Sequence, residues 1–316
     1  MNNDVPPFDV VLFHGLKTGS PCHDGFGVAY SAWLHARKHG REGILAIPLI
    51  RGEPMPADLL DQVRGKRVLM GDFAYEDVET MRKLTDACGE FVLLDHHKSA
   101  MEALSGAEWR GKGWRETVFQ MDKSGALLAW EYLFPGERVP KLITYVSDRD
   151  LWTFKLPYAR EVSSHMQSLE CTFDMWDSLC RVMESPEGFE RIVDSGTAIE
   201  RYKSQLVDLI AEEPNVIDTA LGKAAFVNSA CLQSELGERL ASTHAFACVW
   251  WAHGDFLHMS FRSAGSLDVS ELARALGGGG HARAAGAQRA LWNGADILDV
   301  VMVVAAGASK VAGAHA

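Results

Sequence analysis

The sequence predicts an α/β fold: an N-terminal, mainly parallel sheet flanked by helices, joined by a helical linker to a smaller α+β C-terminal domain. Three observations carry this expectation. Short apolar runs at 9–14, 44–50, 67–73 and 91–94 alternate with stretches of helical periodicity, as right-handed β-α-β crossovers require. A charged helical stretch over 187–213 then ends at Glu212-Glu213-Pro214. Beyond it the pattern changes, because the apolar runs Ala245–Trp251 and Phe256–Arg262 are joined only by His253-Gly254-Asp255, which reads as a hairpin. The expected boundaries are 1–186 for the first domain, 187–214 for the linker and 215–316 for the second domain.

At 316 residues the chain is long enough for two domains, each with its own core. The formal net charge of -11 argues against nonspecific binding of long nucleic acid, which needs a basic footprint. An anionic substrate must therefore be met by a small local cluster or by metal ions. Cys22, Cys88, Cys171, Cys180, Cys231 and Cys248 form no C-x-x-C pair, so neither a zinc knuckle nor a dense disulfide frame is suggested and a reducing compartment is expected. The first residues lack a basic region and a cleavable apolar segment, and no run approaches the roughly 18 apolar residues of a membrane span. A cytoplasmic protein without membrane association is the expectation.

In chain order, Asp9–His14 is a strand ending in histidine. A loop follows, then a helix that starts near Asp24, carries Phe26, Tyr30, Trp33 and Leu34, and stops at Gly40. Ile44–Ile50 is a second strand, with Pro48 hinting at an edge. Arg67–Phe73 is a third, closed by Asp72. A helical pattern over Tyr75–Ala87 leads to the fourth, Phe91–Leu94, which runs straight into Asp95-His96-His97. In an open parallel sheet, chemistry gathers outside the carboxyl ends of the strands. Singly, each acid reads as a helix cap and His14 as a loop histidine. Three strand ends closing in ligand-type residues point instead to a metal site.

Ser124–Phe134 and Pro140–Val146 read as helices, the second leading into Ser147-Asp148-Arg149-Asp150. Those acids are either a solvated turn or the carboxylate that completes a dinuclear centre. Tyr158–Met183 reads as helical packing. In the second domain a strand over Lys223–Val227 and a helix over Ser234–Ala241 precede the hairpin. Asp268 caps a helix to Leu276, and an apolar strand and a final helix from Ala295 close the chain. Between them stands Gly277-Gly278-Gly279-Gly280-His281. Four glycines are hard to explain as packing, and their main-chain N–H groups suit phosphate oxygens, with Arg262, Arg274, Arg283 and Arg289 supplying charge.

Leu93-Leu94-Asp95-His96-His97 and the Gly277–Gly286 segment together resemble the DHH phosphoesterase family with its DHH-associated C-terminal domain, which includes the RecJ exonuclease and bacterial nanoRNases. The resemblance implies two divalent ions, usually manganese. It implies His14, Asp24, Asp72, His96 and Asp148 as metal ligands, with Asp72 and Asp148 bridging and Asp150 the lesser candidate for the fourth motif. His97 would be the catalytic group facing the substrate phosphate, with Asp95 orienting a histidine from behind. Arg262, Gly278, Gly279, Gly280, His281 and Arg283 would bind substrate and close over the metals.

Two features depart from the family pattern. Phe26 stands two residues after Asp24, where many members carry a second aspartate, and the His14–Asp24 spacing is long, with Cys22 and His23 intruding. One metal position is then looser or recruits His23. Cys22 is not expected as a ligand, since a soft thiolate is unsuited to manganese. The implied activity is hydrolysis of very short oligonucleotides or linear dinucleotides to mononucleotides by water activated between two metal ions. An acidic chain lacks the long electrostatic track of a processive nuclease, so no long duplex is expected as partner. The alternatives are a 3′-phosphoadenosine 5′-phosphate phosphatase and a catalytically inactive nucleotide-binding regulatory protein. A homodimer is common in the family.

Overall fold

The computed structural model describes residues 5–15, 22–290 and 300–314. The chain divides into two units, Met1–Glu200 and Arg201–Ala316. The first alternates β1 (Val10–Gly15), α1 (His23–Lys38), β2 (Leu45–Ile50), α2 (Leu59–Val63), β3 (Arg67–Gly71), α3 (Val78–Ala87), β4 (Glu90–Asp95), α4 (Lys98–Ala103) and β5 (Trp114–Phe119). Helices α5 (Gly125–Leu133), α6 (Lys141–Asp150), α7 (Ala159–Gln167), α8 (Phe173–Glu184) and α9 (Pro186–Ala211) follow, and the division between the units falls inside α9.

The five strands pair in parallel, in the order β2-β1-β3-β4-β5. Their apolar runs are unbroken because both faces are covered. Val11, Phe13, Leu69, Val92 and Leu94 pack toward α1, α5, α6 and α8, whereas Val10, Leu12, Val68, Met70, Phe91 and Leu93 pack toward α2 and α3. This is the two-residue alternation of a strand divided between two cores. Pro48 lies on the edge strand β2, where its missing N–H does no damage. The fifth strand escapes sequence reading because Trp-Arg-Glu-Thr-Val-Phe, at the other edge, buries no residue fully.

The second unit holds β6 (Asn215–Thr219), β7 (Gly222–Asn228), α10 (Gln233–Ala241), β8 (Phe246–His253), β9 (Phe256–Arg262), α11 (Val269–Ala275), β10 (Gly279–His281), β11 (Ala284–Ala290) and α12 (Val300–Ala314). Its sheet runs β10-β11-β9-β8-β7-β6, with only β7 and β8 parallel. The crossover helix α10 covers one face with Leu236 and Leu240, while Leu272 of α11 and Val304 of α12 cover the other. Asp268 caps α11 by accepting from the Ser270 N–H. The expected start of the last helix, 295–299, lies outside the described residues. No helix among the described residues is long and apolar enough to cross a membrane.

The glycine run has a role inside this unit. The Gly277 and Gly278 amides donate to the Arg274 and Ala273 carbonyls at the end of α11, and Gly277 takes a left-handed φ of +83° there. Gly279–His281 then pairs antiparallel with Ala284–Gly286. A Cβ on Gly278 would stand 2.1 Å from the Gly286 oxygen, and one on Gly280 2.7 Å from the Ala284 oxygen. The expectation that packing cannot explain these glycines is therefore corrected in part: close approach of β11 requires glycine at 278 and 280, and the left-handed turn favours it at 277.

Candidate metal centre

The central strands β1, β3 and β4 are neighbours, so their carboxyl ends bring His14, Asp72 and Asp95-His96-His97 together. Asp72 lies at the middle of the cluster, buried and in a left-handed conformation with φ of 56°. Such backbone is uncommon outside glycine, although aspartate is among the residues that tolerate it. The turn points its two carboxylate oxygens in different directions. Oδ1 lies 3.1 Å from His96 Nε2, and Oδ2 lies 3.6 Å from His14 Nδ1 and 3.6 Å from Cys22 Sγ.

Asp24, in the first turn of α1, reaches the same cluster. Its carboxylate accepts from the Gly125 N–H at 2.7 Å and the Ala126 N–H at 2.9 Å, at the N-terminus of α5. Glycine is needed at 125, because a Cβ there would stand 2.6 Å from Asp72 Cβ and 3.1 Å from Asp24 Oδ2. Asp24 Oδ2 lies 3.4 Å from His96 Nε2, and Asp150 Oδ2 closes the set at 3.5 Å from the same nitrogen.

Asp148 lies outside this set, and of the two acids weighed for the fourth motif it is Asp150 that the structure brings to it. Two residues apart on a helix, the acids of α6 project from nearly opposite sides. Asp148 accepts from the Lys155 N–H at 2.9 Å, the Leu156 N–H at 3.1 Å and the Thr153 hydroxyl, which staples the segment after α6 back onto the helix. Trp152 and Phe154 in that segment have φ of 54° and 45°, so the staple holds a strained path.

His23 does not join the cluster either. Its ring meets Trp176 edge-on at 5.9 Å, and burial together with Arg149 pushes its imidazole down to about 4. Phe26 is buried against Phe13, Phe173 and Trp176, so the place of the absent second aspartate belongs to the core. Cys22, which was not expected as a ligand, meets His14 and Asp72 among the described residues; their donor atoms lie within 4.8 Å of one another.

The electrostatics describe a site that attracts cations. Burial and then the Asp150 and Asp72 carboxylates push Asp24 well above the usual carboxyl range. Burial likewise raises Asp150. Burial opposes the charge on His96, yet Asp72, Asp150 and Asp24 outweigh it and push the imidazole up to about 10. A proton on His96 is standing where three carboxylates want positive charge. Asp150 Oδ2 is buried without a hydrogen-bond partner, as is Asp95 Oδ2. An orphaned Asp150 oxygen 3.5 Å from the His96 imidazole, beside Asp72 and Asp24, makes a donor set that fits a divalent ion of oxygen and nitrogen preference.

His97 sits beside this set. Its Nδ1 is 2.7 Å from Asp95 Oδ1, which also accepts from the His96 N–H at 2.8 Å. One buried carboxylate thus holds the His97 ring and the His96 backbone. Burial and Arg51 hold His97 below its ordinary value, and burial of Asp95 is overcome by His97 and Arg51, which hold its carboxyl down.

Arg51 was missed in the sequence. It follows β2, and its Nη2 is buried with no hydrogen-bond partner while Nη1 is 3.6 Å from Glu76 Oε1. The signal was available: Arg51 too stands just past the carboxyl end of a strand, but only acids and histidines were sought there.

In the second unit, Arg262 donates to the Ser234 hydroxyl at 2.7 Å and the Phe261 carbonyl at 2.8 Å. His281 ends β10 opposite Ala284, and Arg283 is exposed in the β10–β11 turn.

Residues 234–302 match the DHHA1 domain model. An uncharacterised protein of Acanthamoeba polyphaga mimivirus is 30% identical over 295 residues, covering 88% of this chain; the chain spans 66% of that relative's length. The exonuclease RecJ bound to manganese superposes with a TM-score of 0.53 at 13% identity, covering 95% of this chain and 90% of that one. RecJ from Thermus thermophilus in complex with Mn2+ gives 0.52 at 14% identity, over 95% of this chain and 52% of that one. At these identities the likeness is one of fold. Residues 234–302 thus carry a DHHA1 domain, and the chain has a RecJ-like fold in which the fourth strand of the parallel sheet delivers Asp95-His96-His97.

Proposed function

We propose that this protein is a metal-dependent phosphodiesterase that hydrolyses very short oligonucleotides or linear dinucleotides to mononucleotides. The observation that carries the reading is Asp72, one buried carboxylate whose two oxygens face two separate donor sets. A pair of divalent ions held there, manganese being the expectation, would lower the pKa of a water and neutralise charge on the phosphoryl oxygens during in-line attack. Asp24, His96 and Asp150 are the remaining ligands of one position, and His14 belongs to the other.

The chain's own groups do the rest. Asp95 accepts from the His97 Nδ1–H and so fixes the tautomer, and Nε2 can donate to a phosphate oxygen when the ring is protonated. Arg51, with a buried N–H to offer, is assigned to the same phosphate. Arg262, Gly278, Gly279, Gly280, His281 and Arg283 are assigned to the remainder of the substrate. A net charge of -11 supports a short substrate, since a few local contacts then suffice. All six cysteines are free thiols, which supports action in the reducing cytoplasm.

The test is a product analysis in manganese against 5′-phosphorylated dinucleotides, a pentanucleotide, a long single strand and 3′-phosphoadenosine 5′-phosphate. Dinucleotides are expected to turn over fastest. Preferred release of phosphate from the monoester would move the assignment to the phosphatase, and tight binding without turnover would make the protein a nucleotide sensor.

A further inference from the structure

We propose that the Cys22 thiolate is a direct metal ligand and that the two metal positions are chemically unlike: the one formed by His14, Cys22 and Asp72 takes a zinc-class ion, while the one formed by Asp24, Asp72, His96 and Asp150 takes manganese or magnesium. This rests on the reading of Asp72 as a bridging carboxylate and names the metal class of each side.

Two ligand separations of the first set are close to those of tetrahedral zinc. With Zn–S near 2.3 Å and Zn–O or Zn–N near 2.0–2.1 Å, ligand atoms at tetrahedral angles are separated by about 3.5 Å for sulfur to oxygen and about 3.3 Å for nitrogen to oxygen. The observed separations are 3.6 Å from Cys22 Sγ to Asp72 Oδ2 and 3.6 Å from His14 Nδ1 to the same oxygen. Nitrogen, sulfur and oxygen donors with a fourth place open suit zinc, cobalt or ferrous iron far better than manganese.

The second set contains no sulfur. An octahedral ion with bonds near 2.1 Å spaces its adjacent ligands by about 3.0 Å. His96 Nε2 stands 3.1, 3.4 and 3.5 Å from Asp72, Asp24 and Asp150.

Local structure accounts for the thiol's position. Cys22 occupies the N-cap of α1 with extended backbone, and its side chain makes no capping hydrogen bond; it turns to Asp72 instead. Among the described residues beside it, His23 is turned to Trp176, and the position of Phe26 belongs to the aromatic core. Metal entry displaces the thiol proton to solvent, leaving an S–metal bond where the S–H had been.

The full-length protein, stripped of metal, is titrated with Co2+ while the near-ultraviolet sulfur-to-cobalt charge-transfer absorption is followed and bound metal is counted. Wild type is expected to develop the band with one cobalt per chain. Cys22→Ser and Cys22→Asp are expected to lack it, while electron paramagnetic resonance shows both still taking one Mn2+ at the second position. In competition, wild type should retain one zinc against excess manganese, and Cys22→Asp should exchange it. Two cobalt ions bound without the band, or a band that survives in Cys22→Ser, would overturn the thiolate ligand and leave the bridged centre standing. No cobalt bound at all would overturn both.

Discussion

Asp148 and Asp150 offer a double dissociation. Asp150 Oδ2 makes no hydrogen bond and lies 3.5 Å from His96 Nε2, so Asp150→Asn removes a ligand charge and little else. Loss of a residue that merely orients a ligand costs about 10–100-fold in metal affinity, so losing a direct anionic ligand should weaken Mn2+ binding by more than about 100-fold, or ~2.7 kcal/mol. The metal-free fold should be unharmed or slightly firmer, because one of three carboxylates crowding His96 has gone. Asp148→Asn should do the reverse. Its carboxylate accepts two backbone N–H groups and the Thr153 hydroxyl, and asparagine keeps only one accepting oxygen. Losing about one hydrogen bond to a charged acceptor costs roughly 1.5–3 kcal/mol of stability. Calorimetric titration with Mn2+ and denaturant unfolding of the metal-free protein measure the two effects. If Asp148→Asn lost the metal while Asp150→Asn kept both metal and stability, the helix-face reasoning would be wrong.

Metal binding should tighten with pH. The His96 proton must leave before a metal enters, and with that group pushed up to about 10, Mn2+ affinity should rise by about tenfold per pH unit below it; a flat titration profile would contradict this. In the metal-free protein the same raised His96 contributes its full stabilisation below its unfolded value near 6.5 and loses it as pH climbs through about 10. Phe26→Asp should not restore a ligand: it should destabilise the first unit by at least about 3 kcal/mol, and a stable variant with tighter Mn2+ binding would count against the core assignment. Gly280→Ala, at φ of +141° against β11, should cost about 1–3 kcal/mol in unfolding; full stability with impaired substrate binding would return that glycine to a purely ligand-facing role. His97→Ala should fold normally and lose at least about 100-fold in turnover, and near-normal activity would remove it from the chemistry.

The parallel sheet and the gathering of side chains at its carboxyl edge were legible because both follow from strand chemistry. Buried strands read as apolar runs, and the rule placing function at their carboxyl ends selected His14, Asp72 and Asp95-His96-His97 without any tertiary information. The edge strand β5 was not legible, since an exposed edge carries neither a clean alternation nor an apolar run. The glycine run was legible as special but not as to cause. A sequence shows that side chains are absent at 278 and 280; it does not show whether a ligand or the strand at 284–290 comes close.

The remaining differences share one physical origin, the period of a helix. Asp24 and Phe26 are two residues apart on α1, as Asp148 and Asp150 are on α6, and such pairs face nearly opposite directions. Phe26, Tyr30 and Trp33 already marked the core stripe of α1 in the sequence, so a residue on that stripe was never free to serve the metal side. On α6 neither acid lies on a clear apolar stripe, and only the position of the helix against the sheet decides between them. Cys22 precedes the first turn of α1 and is exempt from that period, which is why it can share the metal side with Asp24. Rejecting it on softness presupposed manganese in both positions. The donor set should be read first and the metal inferred from it, and here the two oxygens of Asp72 look onto two different kinds of site.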